Sequence, residues 1–168
     1  EEGKIDSWGI GLGEEEALIS AINYEKQPEA MQCAVNVMNS IGAIGYISKE
    51  PNPNRILKEC QDKEIPILAI RAVQAGALTS KMDREPHSSG RDKPDFDDYE
   101  RAESFRDLAK EWGESPASLA HRYALSIQKV NSVILGVKNT KELQECIEAE
   151  SKDNLNEVQL KELESLFA

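Results

Sequence analysis

The chain has 168 residues, of which 39% are hydrophobic and 30% are charged, and its formal net charge at pH 7 is −11. This length and composition fit one globular domain or part of a larger one, while the strong negative charge argues against binding to nucleic acid or to anionic membrane surfaces. No apolar run is long enough to cross a bilayer, and the N-terminal residues lack the basic and apolar regions of a signal peptide.

The first part of the chain alternates short strand patterns with amphipathic helix patterns. A strand is predicted over residues 5–10, and a helix with acidic residues in its first turn over residues 14–25. A second strand over 31–36, a helix over 54–63 and a third strand over 65–70 come next. The second and third strands are almost continuously apolar, as expected of parallel strands that are buried on both faces.

The alternation continues toward the C-terminus. A helix is predicted over residues 99–112, ending before Gly113. Ser115 and Pro116 have the pattern of an N-cap and a first helical residue, which predicts a helix from there to residue 128. A fourth buried strand is predicted over residues 131–136.

Two helices and one loop complete the predicted elements. The helix over residues 140–150 is expected to turn Leu143 and Ile147 inward, and a last helix over 156–167 closes the chain. Residues 81–98 contain proline, glycine and serine among many charges and show no periodicity. This segment is therefore predicted to be a mobile loop, in the role of a lid.

This order of elements predicts an α/β fold with right-handed crossovers. Two architectures remain open at this point, a closed barrel and an open doubly wound sheet. Four parallel strands by themselves would leave two apolar edges unpaired, which favours aggregation. The chain is therefore expected to be half of a larger structure.

A glycine-rich turn follows the first predicted strand. Gly9, Gly11 and Gly13 suggest a dinucleotide-binding turn, but Glu14 stands where the G-x-G-x-x-G pattern needs its third glycine. The three consecutive acids at 14–16 would repel a pyrophosphate at the start of the helix. The better interpretation is a tight connection between strand and helix that uses the conformational freedom of glycine.

The cysteine pattern indicates neither disulfides nor a metal site. Cys33, Cys60 and Cys146 are widely spaced, with no C-x-x-C pair, and fit buried or half-buried thiols in a reducing, cytoplasmic setting. The two histidines and three cysteines lack the spacing of zinc ligands. No metal site and no catalytic constellation are predicted within this chain.

Five segments, taken in order, resemble the aldo-keto reductase family. Residues 3–10 (GKIDSWGI) are similar to the Gly-Lys-Ile-Arg-x-x-Gly-Val that precedes the family's fifth strand. Gln32 and Asn36 match a Gln-x-x-x-Asn pattern in the sixth strand, and residues 68–81 (LAIRAVQAGALTSK) match the seventh strand and its following loop. The other two segments are the helix start at 115–120, similar to Ser-Pro-Ala-Gln-Leu-Ala, and residues 132–139, similar to the eighth-strand motif Ser-Val-Ile-Pro-Gly-Ala-Arg-Asn.

The resemblance covers essentially the whole chain and implies the C-terminal half of a (β/α)8 TIM barrel, with strands five to eight and the closing helices within residues 1–168. It also implies that NADP lies across the C-terminal ends of the strands, where such barrels carry their sites. The positions that match the family's cofactor contacts are Gln32 at the nicotinamide carboxamide, Ile70 at the stacking ring, Arg71, Ala72 and Val73 along the pyrophosphate, Lys138 at the 2′-phosphate or adenine ribose, and Glu142 and Glu145 at the adenine end.

Three of these residues also have a physical argument of their own. Lys138 stands at a strand end before Asn139 and Thr140, which begin a helix, and this arrangement suits an anion; the alternative is a solvated surface lysine. Arg71 at the end of an apolar strand needs an anionic partner, either a phosphate or one of the chain's own acids. Gln32 within an apolar strand needs hydrogen-bond partners, either a cofactor amide or neighbouring backbone.

The chain departs from the family pattern at several cofactor positions. The family's Ser-Asn pair after the fifth strand is Gly11 and Leu12 here, and its stacking aromatic is Ile70. The adenine-contacting Asn is Cys146, and the usual Pro before the phosphate motif is Leu135. These departures indicate either a divergent subfamily or relaxed selection.

Two functions follow from the resemblance. The family's proton-donating Tyr and its Lys, Asp and His lie on the first four strands, so this segment is expected to have no catalytic residues of its own. The first interpretation is an oxidoreductase whose intact form transfers hydride from NADPH to a small aldehyde or ketone, with the segment alone inactive. The alternative is a non-catalytic aldo-keto-reductase-like binding or regulatory protein, or a degenerate fragment.

Overall fold

The structure, a computed structural model, describes residues 3–11 and 13–168, so the departure at Leu12 lies outside the described residues. Four strands form one sheet in the order β1-β2-β3-β4, and all three pairings between neighbours are parallel. The strands are β1 (Gly9–Gly11), β2 (Ala30–Ala34), β3 (Ile67–Ile70) and β4 (Val130–Val133). The predicted α/β class with four parallel strands is confirmed.

Helices connect the strands and follow the last one. They are α1 (Glu15–Ile22), α2 (Pro53–Asp62), α3 (Lys93–Arg101), α4 (Glu103–Glu111), α5 (Pro116–Ser126), α6 (Thr140–Glu150) and α7 (Glu157–Ser165). Short 3-10 helices at Gly42–Ile47 and Gln74–Gly76 lie in the loops after β2 and β3. Within the described ranges, no helix has the length and apolarity that a membrane crossing requires.

Local sequence determines where several helices begin. The Ser115 side chain accepts a hydrogen bond from the Ser118 N–H at 3.1 Å, directly before Pro116, as predicted. Asn156 accepts from the N–H of Gln159 at 3.0 Å, and the Gln159 side chain in turn accepts from the Asn156 N–H. Such capping satisfies N–H groups that have no partner within the helix, and each cap contributes about 1 kcal/mol.

Two hydrophobic clusters hold the elements together. In the first, Met31 and Cys33 of β2 and Ile67 and Ala69 of β3 pack against α1, α2 and α5. In the second, fully buried Phe105 of α4 packs with residues of α5 and α7. The helices therefore cover one face of the sheet, which we call the outer face; the opposite face is called the inner face.

The structure corrects two predictions about buried positions. The predicted strand over residues 5–10 is wrong for residues 5–8, because the strand begins at Gly9 and Ile5 is 73% exposed. The prediction that Leu143 and Ile147 face inward is also wrong, since both are exposed on α6. Both corrections concern residues next to an outer strand, β1 or β4. Within the described residues, each of these strands has a neighbouring strand on one side only.

The predicted loop over residues 81–98 is wrong for residues 93–98, which form most of α3. Pro94 suits the first turn of this helix, and Asp95 and Asp98 are buried and ion-paired. Tertiary ion pairs therefore order a segment whose composition indicated a loop. The predicted helix over 99–112 is likewise two helices, because the backbone leaves helical geometry at Ala102 between α3 and α4.

Candidate functional site

The loops that follow β2, β3 and β4 all leave the sheet at the same end, the C-terminal end of the strands, because the strands are parallel. On the inner face, Gln32 of β2 lies in register with Gly11 of β1 and Leu68 of β3, and Ala34 lies in register with Ile70. Gln32 and Ile70 are half-buried. These two predicted nicotinamide contacts are therefore on neighbouring strands and on the same face.

Gly11 is required by the position of the Gln32 side chain. A Cβ added at residue 11 would lie 2.8 Å from the Cβ of Gln32 and would overlap its amide. Only glycine leaves room for Gln32 in this arrangement. The departure from the family's serine at this position thus has a steric reason in this chain.

Arg71 is paired within the protein. It follows β3 in a left-handed conformation, with φ of 57°, and its guanidinium forms an ion pair with Asp95 of α3. Its Nε also donates to the Gln74 side chain at 2.8 Å. Of the two partners that the sequence left open for Arg71, the structure shows an acid of the chain itself.

Gln74 is the centre of a buried polar network beside this ion pair. Its amide nitrogen donates to Asp98 at 2.7 Å and to the Ser40 hydroxyl at 2.9 Å. The Asn36 amide donates to the Ser40 carbonyl at 2.8 Å. The network joins the loops after β2 and β3 to α3, and it satisfies polar groups that would be costly to bury alone.

Gly42 makes room for this network. Its φ is +48°, and a Cβ at this position would overlap Asp95 and lie 2.7 Å from both the Arg71 guanidinium and the Gln74 amide. Both the conformation and the space therefore favour glycine. No local pattern indicates the need for glycine at position 42, since the atoms around it come from residues far away in the chain.

Arg84 lies between the buried network around Gln74 and a cavity. Its guanidinium donates to Asp92 at 2.8 Å and to Asp95 at 2.9 Å, so that Asp95 lies between Arg71 and Arg84. Arg84 also lines a cavity of about 400 Å³ beside the loops that follow β3 and β4. This volume is within the range typical of small-molecule and cofactor sites.

The cavity brings together four of the eight residues predicted to bind the cofactor. Those four are Val73, Lys138, Glu142 and Glu145. The remaining four, which do not line it, are Gln32, Ile70, Arg71 and Ala72. The cavity thus groups the residues assigned to the adenine and 2′-phosphate end with Val73 of the pyrophosphate positions. The two residues assigned to the nicotinamide, and Arg71 and Ala72 of the pyrophosphate positions, lie outside it.

Lys138 directly precedes Asn139, the N-cap residue of α6. Its side chain forms an ion pair with Asp83, and its backbone N–H donates to Glu142 at 2.8 Å. Asn139 caps the helix by accepting from the Glu142 N–H at 3.0 Å. The hydrogen bond from Lys138 holds the pKa of Asp83 below its usual value, so at neutral pH a carboxylate occupies the position in which Lys138 would meet a phosphate.

A histidine and a cysteine meet at the cavity wall. The Cys146 sulfur lies 3.2 Å from Nε2 of His121, and both residues line the cavity. Burial lowers the pKa of His121. Burial, followed by the nearby Glu145 and Glu142, raises the pKa of Cys146. At neutral pH the pair is therefore a neutral imidazole beside a neutral thiol, which suits contact with an uncharged group.

Several cavity residues were missed by the sequence analysis. Lys81, Asp83 and Arg84 belong to the segment predicted to be a loop, and His121, within a helix, was not among the predicted site residues. One sequence signal did indicate a helix in this segment: Asp92, Asp95 and Asp98, two of which pair with Arg84, are spaced three apart, as on one face of a helix. In the part of the chain that the structure describes, no group of three His, Cys, Asp or Glu side chains could hold a metal ion.

Comparisons with known proteins agree on one family and one fold. The family model described as "Aldo/keto reductase family" matches residues 1–168. Among curated proteins, no match was found. The apo form of the aldo-keto reductase AKR11C1 from Bacillus halodurans matches with a TM-score of 0.73 and 14% identity, over 99% of this chain and 53% of that chain.

Two further solved structures are similar. The glycerol dehydrogenase AKR11B4 from Gluconobacter oxydans has a TM-score of 0.71 and 20% identity, over 99% of this chain and 50% of that chain. The thermostable aldo-keto reductase Tm1743, solved with the inhibitor epalrestat, has a TM-score of 0.62 and 17% identity, over 94% of this chain and 47% of that chain. The chain thus spans about half the length of these proteins, and the predicted half-barrel is confirmed.

Proposed function

Because this chain belongs to the aldo/keto reductase family, we propose that in the intact protein it forms the NADP-binding half of an oxidoreductase that transfers hydride from NADPH to a small aldehyde or ketone. Family membership supports oxidoreductase chemistry in general. The cofactor, the direction of transfer and the carbonyl substrate are the parts that we propose.

One observation carries the proposal. The cavity of about 400 Å³ lies beside the loops after β3 and β4, and Lys138 lines it at the start of α6. In barrels of this kind, sites lie at the C-terminal ends of the strands, and a helix N-terminus with a nearby cation attracts a phosphate. The position of the cavity and the charge of Lys138 are both what a phosphorylated nucleotide requires.

The residues of the cavity fit the adenosine end of such a cofactor. Lys81 and Lys138 supply positive charge for a phosphate, whereas Arg84 is already paired with Asp92 and Asp95. Glu142 and Glu145 offer carboxylate acceptors for ribose or adenine donors. Asp83 would have to leave Lys138 when a phosphate arrives, and it is exposed enough to do so. The neutral His121–Cys146 pair offers an uncharged wall.

The residues of the nicotinamide end lie on the inner face. Gln32 has an amide that can bond the carboxamide, and half-buried Ile70 offers an aliphatic surface in place of an aromatic ring. NADPH, when bound, supplies the hydride. Because the chain spans about half the length of its solved relatives, we propose that the proton donor and most of the substrate pocket come from the rest of the intact protein.

We propose that the chain alone does not reduce carbonyl compounds and that the intact protein works in a reducing, cytoplasmic compartment. The three cysteines are free thiols in the structure, which fits a reducing compartment. The absence of turnover by the chain alone is tested by following NADPH absorbance with a panel of aldehydes. Clear turnover would contradict that part of the proposal.

The cofactor assignment is tested by titrating NADP⁺ and NAD⁺ into the protein by calorimetry. Lys138→Ala should weaken NADP⁺ binding about tenfold or more and leave NAD⁺ nearly unchanged, because a charge-assisted hydrogen bond to a 2′-phosphate contributes about 1.5–3 kcal/mol. Lys141→Ala is the matched control, since Lys141 is also in the first turn of α6 but does not line the cavity. Equal affinity of the unsubstituted protein for both cofactors would contradict the proposal.

A second candidate function is a non-catalytic binding or regulatory protein of the same family. It is favoured by the Arg71–Asp95 ion pair, which occupies a residue that the family resemblance places along the pyrophosphate. The two functions differ in one measurement on the intact protein: both predict NADP⁺ binding in the cavity, but only the oxidoreductase oxidises NADPH when an aldehyde is added.

A further inference from the structure

The part of the cavity wall that α5 and α6 form differs in charge from the part that the loops form. The loops after β3 and β4 line the cavity with the basic side chains of Lys81, Arg84 and Lys138. The residues that line it from the two helices are Ala117 and His121 of α5 and Glu142, Glu145 and Cys146 of α6. The helix wall therefore combines an apolar and a neutral surface with two carboxylates.

These two carboxylates are not equally available to a ligand. Glu142 is used at the start of its own helix, where one oxygen accepts from the Lys138 N–H at 2.8 Å and the other from the Asn139 side-chain amide at 2.9 Å. Within the described residues, the carboxylate of Glu145 accepts one hydrogen bond, from the Ser115 hydroxyl to its Oε1. Oε2 of Glu145 is therefore the oxygen that can accept from a donor in the cavity.

The hydrogen bond between Ser115 and Glu145 has a fixed direction. The Ser115 oxygen accepts from the Ser118 N–H at 3.1 Å and thereby caps α5. A serine hydroxyl has one proton, which the cap does not use, and this proton is donated to Glu145. Both residues are half-buried, and a hydrogen bond to a charged acceptor is stronger than one between neutral groups. One hydroxyl thus caps α5 and holds a carboxylate of α6.

We propose that Ser115 is a positioning residue for the cofactor: by holding Oε1 of Glu145, it directs Oε2 toward the exocyclic amino group of adenine. This inference rests on the proposed binding of NADP in the cavity. Adenine has an NH₂ donor at this edge, whereas hypoxanthine has a carbonyl oxygen there, which a carboxylate repels. Ser115 therefore makes the cavity prefer adenine to hypoxanthine without contacting the base itself.

The arrangement along α6 supports this orientation. Lys138 directly precedes the N-cap residue Asn139, and Glu145 lies in the second turn of the helix. At about 1.5 Å per residue, roughly 9 Å separates Asn139 from Glu145 along the helix axis. A nucleotide whose ribose phosphate meets Lys138 can therefore extend its base toward Glu145, beside the neutral pair of His121 and Cys146.

The inference is tested by calorimetric titration of the protein with NADP⁺ and with its hypoxanthine analogue. We expect the unsubstituted protein to bind NADP⁺ about tenfold more tightly, because a hydrogen bond to a charged group contributes at least that factor. Ser115→Gly removes the hydroxyl but keeps a residue that is accepted at an N-cap, and it should reduce this preference to about threefold or less. Ser115→Thr retains a hydroxyl and should keep the preference of the unsubstituted protein.

Two further variants separate positioning from helix capping. Asn156→Gly removes the N-cap side chain of α7, and Asn156 does not line the cavity. This control should lower the melting temperature as a lost cap does, yet leave the preference for adenine unchanged. In Glu145→Ala the preference should already be lost, and adding Ser115→Gly should reduce it no further, since the two residues act as one unit. Circular dichroism checks that each variant is folded.

The outcomes distinguish this inference from the proposed function. If NADP⁺ binds and Ser115→Gly keeps the tenfold preference, or if the double variant loses more than Glu145→Ala alone, Ser115 does not act through Glu145, and the cofactor assignment is unaffected. Equal affinity of the unsubstituted protein for the two dinucleotides would show that Glu145 does not meet the amino group. Absence of NADP⁺ binding would overturn the proposed function and this inference together.

Discussion

The ion pair between Arg71 and Asp95 joins the loop after β3 to α3, and both side chains are largely buried, at 14% and 5% exposure. Asp95 also accepts from Arg84 at 2.9 Å and from the Ala43 N–H at 2.9 Å. A single carboxylate therefore holds two guanidinium groups and a backbone loop. Asp95 thus helps to hold in place the segment that the sequence predicted to be a loop, together with Asp92 and Asp98.

Asp95→Asn is expected to lower the free energy of unfolding by roughly 3–5 kcal/mol, because removing one partner leaves buried charge uncompensated. Urea denaturation followed by circular dichroism measures the change. Asp97→Asn is the matched control: Asp97 is in the same helix, is exposed and pairs with Lys93 on the surface, so its loss should cost less than about 1 kcal/mol. Equal effects of the two substitutions would show that the buried network does not stabilise the fold.

Asp83→Ala is expected to strengthen NADP⁺ binding by about two- to fivefold. Asp83 competes with a phosphate for Lys138, and an exposed ion pair contributes about 0.2–1 kcal/mol. Glu85→Ala removes the same charge two residues away and serves as the control in the same calorimetric titration. If both substitutions strengthen binding equally, the effect is due to net charge rather than to release of Lys138.

The stability of the protein should fall as the pH drops below about the ordinary histidine value of 6.5. Burial lowers the pKa of His121 in the folded state, so between the folded and unfolded pKa values the unfolded chain binds more protons. Stability therefore rises with pH in that window and is fully present above it. NMR titration of His121 should give a pKa below the ordinary histidine value of 6.5. In His121→Asn, the loss of melting temperature between pH 7 and pH 5.5 should be smaller.

An alkylating reagent should label Cys146 in the folded protein and leave Cys33 and Cys60 unmodified. Cys33 and Cys60 are buried, and burial raises the pKa of Cys33 to about 12 and that of Cys60 to about 11. Cys146 lines the cavity, so saturating NADP⁺ should slow its labelling at least severalfold. Mass spectrometry of tryptic peptides identifies the site, and Cys146→Ser controls for it. Labelling of Cys146 at the same rate with and without NADP⁺ would place the cofactor elsewhere.

Much of the fold could be predicted from the sequence because the signals were local. The apolar runs predicted β2 and β3, and Ser115-Pro116 predicted the start of α5, since strand burial and helix capping depend on neighbouring residues. The cofactor residues near Lys138 could be proposed because residues 132–139 resemble the family's eighth-strand motif, and Lys138 also stands before a capped helix. The order of five motifs was enough to identify the half-barrel.

Tertiary structure decided the points that depend on distant partners. Asp95 and Asp98 lie in a segment whose composition indicates a loop, and contacts with Arg71, Gln74 and Arg84, from other parts of the chain, stabilise α3 there. Leu143 and Ile147 have the spacing of a buried stripe, yet the described chain supplies nothing to cover them. Sequence periodicity shows which side chains favour burial, whereas the arrangement of the chain in space determines whether a partner is present.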